Sequence, residues 1–548
     1  MLLVGLAVFL PGIGWGLPSR AADPLLFGDR EPWTGAQIVE LAGGFDAAAA
    51  RGADVDANPL VDRDGVVLNA TDAQRAEIVR RYRLMSRQPD EFINFSAIAG
   101  MAARGDGDPR LYQYGGVWLY GVAALLGVAK LLGLATVTGD LTVYLDDPSR
   151  FGRFYVIARL YSVAFGLLAA GAVVTLARRF SPRPTVAFAA GLTFVLLPVV
   201  IVAAHEAKPH LGGLALTLWA VVWAERFTRT RTLGALLAAG LLAGLAMGTI
   251  VNNVLTLALV VPLTFVTMPQ RGVGLDDPAS PATGLRPVGA WLWTSSIFLG
   301  VAGLAYAVTN PWVLINAVRA PGLLSSNLGN STAMYRPTVP LLDALRITLQ
   351  GGGRLMLLGV VAAVVLPGLA LAKRKPVPAA WHLAAVTLPA VVVFVALAGG
   401  KPPEYARFGL LPITAFALAS VLLMAKVGET MRKRKWHGAG VWLAVPPVLL
   451  VLPALLYVGS YLNDGNLGDR RAFYLDGHVD DLPPEAARLG GTLYLTHEPA
   501  PWSLPPVDLW QQTLILGEGK PSAAVRPNPL WPVSWSWVSV DYEPADGP

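Results

Sequence analysis

Three short stretches of this chain gather side chains able to handle protons or phosphate. The first is Gln88-Pro89-Asp90-Glu91-Phe92-Ile93-Asn94-Phe95, two adjacent acids ahead of a small-residue run to Ala103, followed by Asp108-Pro109-Arg110-Leu111-Tyr112-Gln113-Tyr114-Gly115-Gly116. Acids at a helix start have an ordinary explanation in the helix dipole, but a carboxylate there can also take a proton as a general base. The second is His205-Glu206-Ala207-Lys208-Pro209-His210. Its histidines are five apart with Pro209 between them, which does not fit a His-Glu-x-x-His zinc helix. A solvated turn would explain it. Functionally, Lys208 offers a cation to a phosphate, while His205, Glu206 and His210 offer groups to orient a substrate or hold a divalent ion. The third is Lys401-Pro402-Pro403-Glu404-Tyr405-Ala406-Arg407-Phe408. A snorkelling arginine is the plain reading of Arg407, and anion binding the functional one. A further acid pair, Asp29 and Glu31, is interrupted by Arg30 and rivals Asp90.

These stretches lie between long apolar runs. The chain has 548 residues, 54% hydrophobic and only 15% charged, outside the range of ordinary soluble proteins. Runs near the roughly 20 residues that a bilayer demands recur, giving about eleven predicted spans. After a first span over 2–17, which a signal peptide would also explain, they are 154–177, 185–204, 211–225, 233–249, 250–268, 288–308, 352–372, 381–398, 406–425 and 438–459. Basic clusters at Arg178, Arg179 and Arg183, at Arg226, Arg229 and Arg231, at Lys373, Arg374 and Lys375, and from Arg432 to Lys435 all fall on one side, the cytoplasmic one. That parity requires the apolar run 117–134 not to cross, and the aromatic residues around it suit an interfacial helix. The polar segments 18–116, 309–351 and 461–548 then lie outside. Strand-like patterns at 492–496 and 534–542 predict a small folded C-terminal appendage.

The net charge of +6 comes from short clusters between apolar runs, so it reports membrane orientation and argues against nucleic acid as a partner. The absence of cysteine excludes disulfides, thiolate nucleophiles and sulfur-ligated metals. No Gly-rich phosphate loop with Lys-Ser or Lys-Thr and no dinucleotide fingerprint is present, which disfavours soluble nucleotide donors.

An acid pair in the first outer loop, a helix, a Pro- and Tyr-containing turn and an amphipathic helix before the second span together resemble the lipid-linked-sugar glycosyltransferases of the GT-C class. The branch is that of the protein mannosyltransferases and aminoarabinose transferases, glycosyltransferase family 39 type, and the resemblance covers most of residues 1–460. It implies an all-α polytopic bundle (1–460, with the first outer loop and its interfacial helices at 18–153), to which the strand-like patterns of the tail add an extracytoplasmic α/β appendage at 461–548. It implies a sugar moved, with inversion, from a polyprenyl-phosphate donor to a hydroxyl on a lipid, glycan or protein, on the extracytoplasmic face of a bacterial inner membrane. Asp90 maps onto the catalytic carboxylate, with Glu91 as the second of the pair and Asp29 or Glu31 as the alternative. Arg407, Lys208 and Lys401 map onto the donor phosphate, and His205, Glu206, His210, Tyr405 and Tyr112 onto substrate. Asn252-Asn253 and Thr309-Asn310-Pro311-Trp312 resemble cavity-lining positions without a catalytic role. No cofactor is required, and a divalent cation, magnesium or manganese, stays open. The competing readings are a multi-pass transporter and a polymer ligase or oligosaccharyltransferase-like enzyme; the spans carry almost no charge and no internal repeat, against a transporter.

Overall fold

In a computed structural model of the chain the described residues are 1–43, 66–88, 90–254, 257, 286–333, 348–349, 351–372, 407–436, 438–463, 491–495, 498–502, 504, 506–516 and 540–544. The predicted span 381–398, most of 250–268, the cluster at Lys373 to Lys375, and Lys401 and Tyr405 lie outside them.

Among the described residues four helices are long and apolar enough to cross a membrane: Pro148–Phe180, Gly289–Thr309, Arg407–Lys433 and Gly440–Leu462. A fifth crossing is available in a pair, Pro184–Val195 and Pro198–Ala204, bent by 62°. Pro198 opens the second half of that pair, where it has no N–H to continue the ladder from the first. The bend delivers the turn 205–209 to the end of the bundle. The first apolar run is helical only over Leu2–Phe9, after which Pro11, Gly12 and Gly14 break it into turns. The run expected to lie in the interface forms the 16-residue helix Gly116–Leu131.

The bundle core is built of small residues and β-branched side chains, with Ala169, Ala172, Ala190, Ala203, Ala215, Val195 and Val221 among its sealed members. Lipid tails are as apolar as these side chains, so close backbone approach has to carry the association of spans. At Gly244 of the helix Leu233–Met247 an added Cβ would sit 2.3 Å from the carbonyl oxygen of Ala302, so that crossing requires glycine.

A second core lies at one end of the bundle and joins the first polar segment to the tail. It contains Leu26, Phe27, Ile38, Val79 and Tyr82 from the former and Leu493, Leu495, Leu504, Leu509 and Leu514 from the latter. Its sheet runs β1-β3-β2-β4, with β1 Val66–Val67, β2 Gly491–Leu495, β3 Gln512–Leu516 and β4 Val540–Pro544. β2 and β3 are parallel, and β1 from the first segment pairs antiparallel with β3. Asn69 fastens the join: its amide donates to the carbonyls of Leu509 and Gln512 at 2.8 and 2.7 Å and accepts from Leu514 N at 2.9 Å. The tail strand expected at 492–496 meets β2 over 492–495, and β4 covers 540–542 of the expected 534–542 stretch; 496 and 534–539 lie outside the described residues.

At the opposite end the basic clusters meet. Glu225 pairs with Arg229 at 2.7 Å and with Arg179 at 3.6 Å. Glu429 pairs with Lys433 at 3.8 Å and feels the charge of Arg183. Three of the clusters therefore share one end, as the parity of the spans requires.

Candidate active site

The turn after the bent helix pair, the loop before the helix Phe92–Arg104 and the start of the helix Leu410–Lys433 converge at the end away from the basic clusters. Asp90 Oδ2 lies 2.8 Å from Lys208 Nζ and 3.1 Å from Arg407 Nη2. Lys208, 1% exposed, is also 3.5 Å from Glu206. Asp90 keeps 38% of its side chain exposed and lines a cavity of about 170 Å³. Ile93, Gln113, Tyr114, His210, Asn252 and Phe408 are among its other lining residues, and Phe408 meets the His210 ring edge-on at 5.4 Å.

Burial by itself would raise the Asp90 carboxyl, but Lys208 and Arg407 outweigh it and hold the group well below the usual carboxylate range. Burial pushes the Tyr114 phenol up, with the Asp90 charge adding to it, so this wall of the cavity stays neutral. The wall exists because Gly115 and Gly116 admit other backbones: an added Cβ would meet Gly248 O at 2.0 Å and Thr309 O at 1.9 Å respectively. Gly115 N and Val117 N donate to Thr249 O and Gly248 O, and Gly116 N donates to Asn310 Oδ1 at 2.8 Å.

Glu91, expected beside Asp90 as the second of the catalytic pair, is not brought to the cavity. It is fully buried, and its oxygens accept from Arg159 Nε and Nη2 at 2.8 and 2.7 Å. Ala207 N and Ser86 Oγ donate to it as well, at 2.7 and 2.5 Å. Arg159, also sealed, gives its remaining nitrogen to the carbonyls of Ile13 and Trp15 at 2.9 and 2.7 Å. This knot ties the N-terminal turn, the loop bearing Asp90, the helix Pro148–Phe180 and the turn bearing Lys208 to one another. Arg159 was missed in the sequence, although a lone arginine in an apolar helix is itself a signal.

Of the remaining expected residues, His210 lines the cavity and Glu206 backs Lys208. His205 does not line it: Nδ1 and Nε2 each sit 2.8 Å from a carbonyl, of Ile201 and Pro11, and the ring stacks on Tyr461 at 4.1 Å. Tyr112 is drawn to a neighbouring cluster, where its hydroxyl donates to Asp108 Oδ1 at 3.0 Å and accepts from Asn316 Nδ2 at 2.6 Å. Burial and the Asp108 carboxylate push its phenol up to about 12. Gln113 and Tyr114, its neighbours, are the cavity residues instead. Asp29 and Glu31 lie in an exposed stretch beside the tail, where Arg30 reaches Asp508 at 3.8 Å. Among the described residues no group of three or more His, Asp or Glu could hold a metal ion. The Lys208 ammonium occupies the space between Asp90 and Glu206 that a divalent ion would need, and Glu91 is committed to Arg159, so these acids do not fit such an ion.

No protein-family model matches the chain, and no curated protein matches it. Among solved structures it is similar to ArnT from Cupriavidus metallidurans bound to undecaprenyl phosphate, at 16% identity over 76% of this chain and 80% of that one, with a TM-score of 0.43. It is also similar to the oligosaccharyltransferase AglB from Archaeoglobus fulgidus in complex with an inhibitory peptide and a dolichol-phosphate, at 12% identity over 78% of this chain and a TM-score of 0.42. The chain spans 56% of that protein's length. Likenesses this loose assign no residue roles.

Proposed function

We propose that the chain is a membrane glycosyltransferase that moves a sugar from a polyprenyl-phosphate donor to an acceptor hydroxyl. The carrying observation is a carboxylate that keeps an open face while sharing two cations, in a cavity at the end of the bundle remote from the basic clusters. By the positive-inside rule that end is the extracytoplasmic one.

In this reading Asp90 takes the proton of the acceptor O–H as the oxygen attacks the anomeric carbon, and the bond from that carbon to the phosphate oxygen breaks. The leaving phosphate is a weak base, so it needs positive charge more than a proton, and Lys208 and Arg407 supply it in a site of low dielectric. One carboxylate on the attacking side and cations on the leaving side suit a single displacement with inversion. The low proton affinity of Asp90 at rest has a purpose here: a donor phosphate draws Lys208 and Arg407 toward itself, and the carboxylate becomes a better base only once donor is bound. Glu91 positions Asp90 and Lys208 and does not react. Lys401 and Tyr405 are proposed for the donor phosphate and substrate on the sequence pattern alone, and His210 for orienting the sugar. Asp29 and Glu31 remain the alternative bases.

Among the described residues, Arg159 is a charge inside a span, the kind of feature a transporter reading would draw on, and it is sealed by Glu91. The test is transfer of radiolabelled sugar from polyprenyl-phosphate donors in reconstituted membranes, comparing wild type with Lys208→Met. Transfer by wild type, weakened about 10²-fold in the variant as for loss of one charge-stabilising donor, is the expected result. Absence of transfer by wild type with every donor would sink the proposal.

A further inference from the structure

The helix Pro311–Arg319 faces the wrong way for water. Its nine residues include one with a buried side chain, the polar Asn316, whereas Leu314 and Val318 are 52% and 84% exposed. Leu314 and Val318 are four residues apart and share a face, while Asn316, two residues from each, points to the opposite side. A helix on a soluble protein buries its apolar stripe and wets its polar one. Here Asn316 is turned inward by its bonds to Asp108 Oδ2 and the Tyr112 hydroxyl, at 2.8 and 2.6 Å. The bonds of the inner face therefore hold the apolar stripe outward.

The stripe continues an exposed apolar flank. The span Gly289–Thr309 ends two residues earlier and leaves Leu304 and Val308 67% and 71% exposed. The border carries the side chains that favour a membrane surface: Trp312 beside Gly107, Tyr120 donating to Gly107 O at 2.8 Å, and exposed Arg110 and Arg319. At 1.5 Å per residue the helix is about 14 Å long, too short to cross and suited to lie flat.

Resting on the membrane reading above, we infer that Pro311–Arg319 seats in the lipid headgroup layer at the membrane face that holds the Asp90 cavity, with phospholipid as its partner. Its inner face grips Asp108 and Tyr112, and the next residues, Gln113 and Tyr114, line the cavity. Gln113 also donates to Asn327 O at 3.3 Å, in the helix Pro321–Ala333 that follows. The seat thus fixes the height of one cavity wall against the headgroups, where a lipid-borne phosphate lies.

The chain has no cysteine, so single-cysteine variants label cleanly. Full-length Val318→Cys, Leu314→Cys and Leu304→Cys, each carrying an environment-sensitive fluorophore, would be placed in nanodiscs of phosphatidylcholine and phosphatidylglycerol. Each would be quenched in turn by nitroxide at the lipid headgroup, nitroxide deep in the acyl chain, and aqueous iodide. The expected result is strongest quenching of the labels at 318 and 314 by headgroup nitroxide, with the label at 304 quenched more by the deep nitroxide. Labels at 318 and 314 that respond to iodide alone, to deep nitroxide most, or to no quencher would overturn the seat, provided the label at 304 still reports lipid. A label at 304 open to iodide would overturn the membrane reading as well, and so separates the two failures.

Discussion

Asp90 and Glu91 are neighbours in sequence and belong to two regions with opposite character. Around Glu91 every charge is spoken for: the carboxylate and the Arg159 guanidinium are both sealed from solvent, and four donors converge on the two oxygens. Around Asp90 the same ingredients, one acid and basic partners, are left with an open face on a cavity. A buried ion pair adds little net stability over apolar packing, but it makes the loss of either partner costly and so enforces a geometry. The Glu91 knot holds together four chain segments, and two of them carry Asp90 and Lys208. Adjacent acids therefore need not sit alike, since one is locked into the scaffold and the other faces a cavity.

Breaking the sealed knot should produce the largest change. Arg159→Met leaves Glu91 buried without its countercharge and is expected to cost about 3–5 kcal/mol, read from thermal unfolding in nanodiscs. Adding Glu91→Gln should restore much of that loss, because the uncompensated charge is then gone. On the cavity side, Arg407→Gln should cost about 10²-fold in kcat/KM. The pH profile sharpens the contrast: with Asp90 held low by its cations, the acid limb of kcat/KM lies below the usual carboxylate range, and Arg407→Gln moves it up. The same sign governs stability. A depressed carboxylate contributes above its unfolded value of about 3.9 and loses the contribution as pH falls through the folded value.

An uncharged knot should be weaker than the charged one. Asn69→Ala strips three hydrogen bonds from the join between the first segment and β3, and about 1–3 kcal/mol should be lost there, seen as faster hydrogen exchange in β3 while the bundle keeps its protection. Tyr112→Phe is expected to have the smallest effect, about 1 kcal/mol. Because the Tyr112 phenol is raised to about 12, its contribution is complete below its unfolded value of about 10 and disappears as pH climbs through 12. Alkaline difference spectra of wild type and Tyr112→Phe check this.

Part of the span pattern was legible, because a bilayer imposes length and apolarity on a local stretch of sequence: the stretches 154–177, 288–308, 406–425 and 438–459 meet helices long and apolar enough to cross, and 185–204 meets the bent pair. The meeting of Asp90, Lys208 and Arg407 was legible in kind, since each stands out as a charge where apolar runs end. What escaped were pairings across distance. Glu91 reads as reactive beside Asp90 until Arg159, sixty-eight positions on, takes both its oxygens. His205 reads as a substrate ligand until the carbonyls of Pro11 and Ile201 claim its nitrogens. Tyr112 reads as a cavity residue, but the turn puts Gln113 and Tyr114 there. Val66–Val67, a strand of two residues, has no periodicity to detect, so the shared core of first segment and tail was invisible.

If Asp90 reacts and Glu91 holds, one experiment should separate them. Transfer of radiolabelled sugar should be measured for wild type, Asp90→Asn and Glu91→Gln at matched amounts of folded protein, as kcat with saturating donor. The expected result is a fall of about 10²- to 10⁴-fold for Asp90→Asn, and for Glu91→Gln a loss of stability with a much smaller fall in kcat. Wild-type kcat in Asp90→Asn, with transfer abolished in folded Glu91→Gln, would contradict this division of roles.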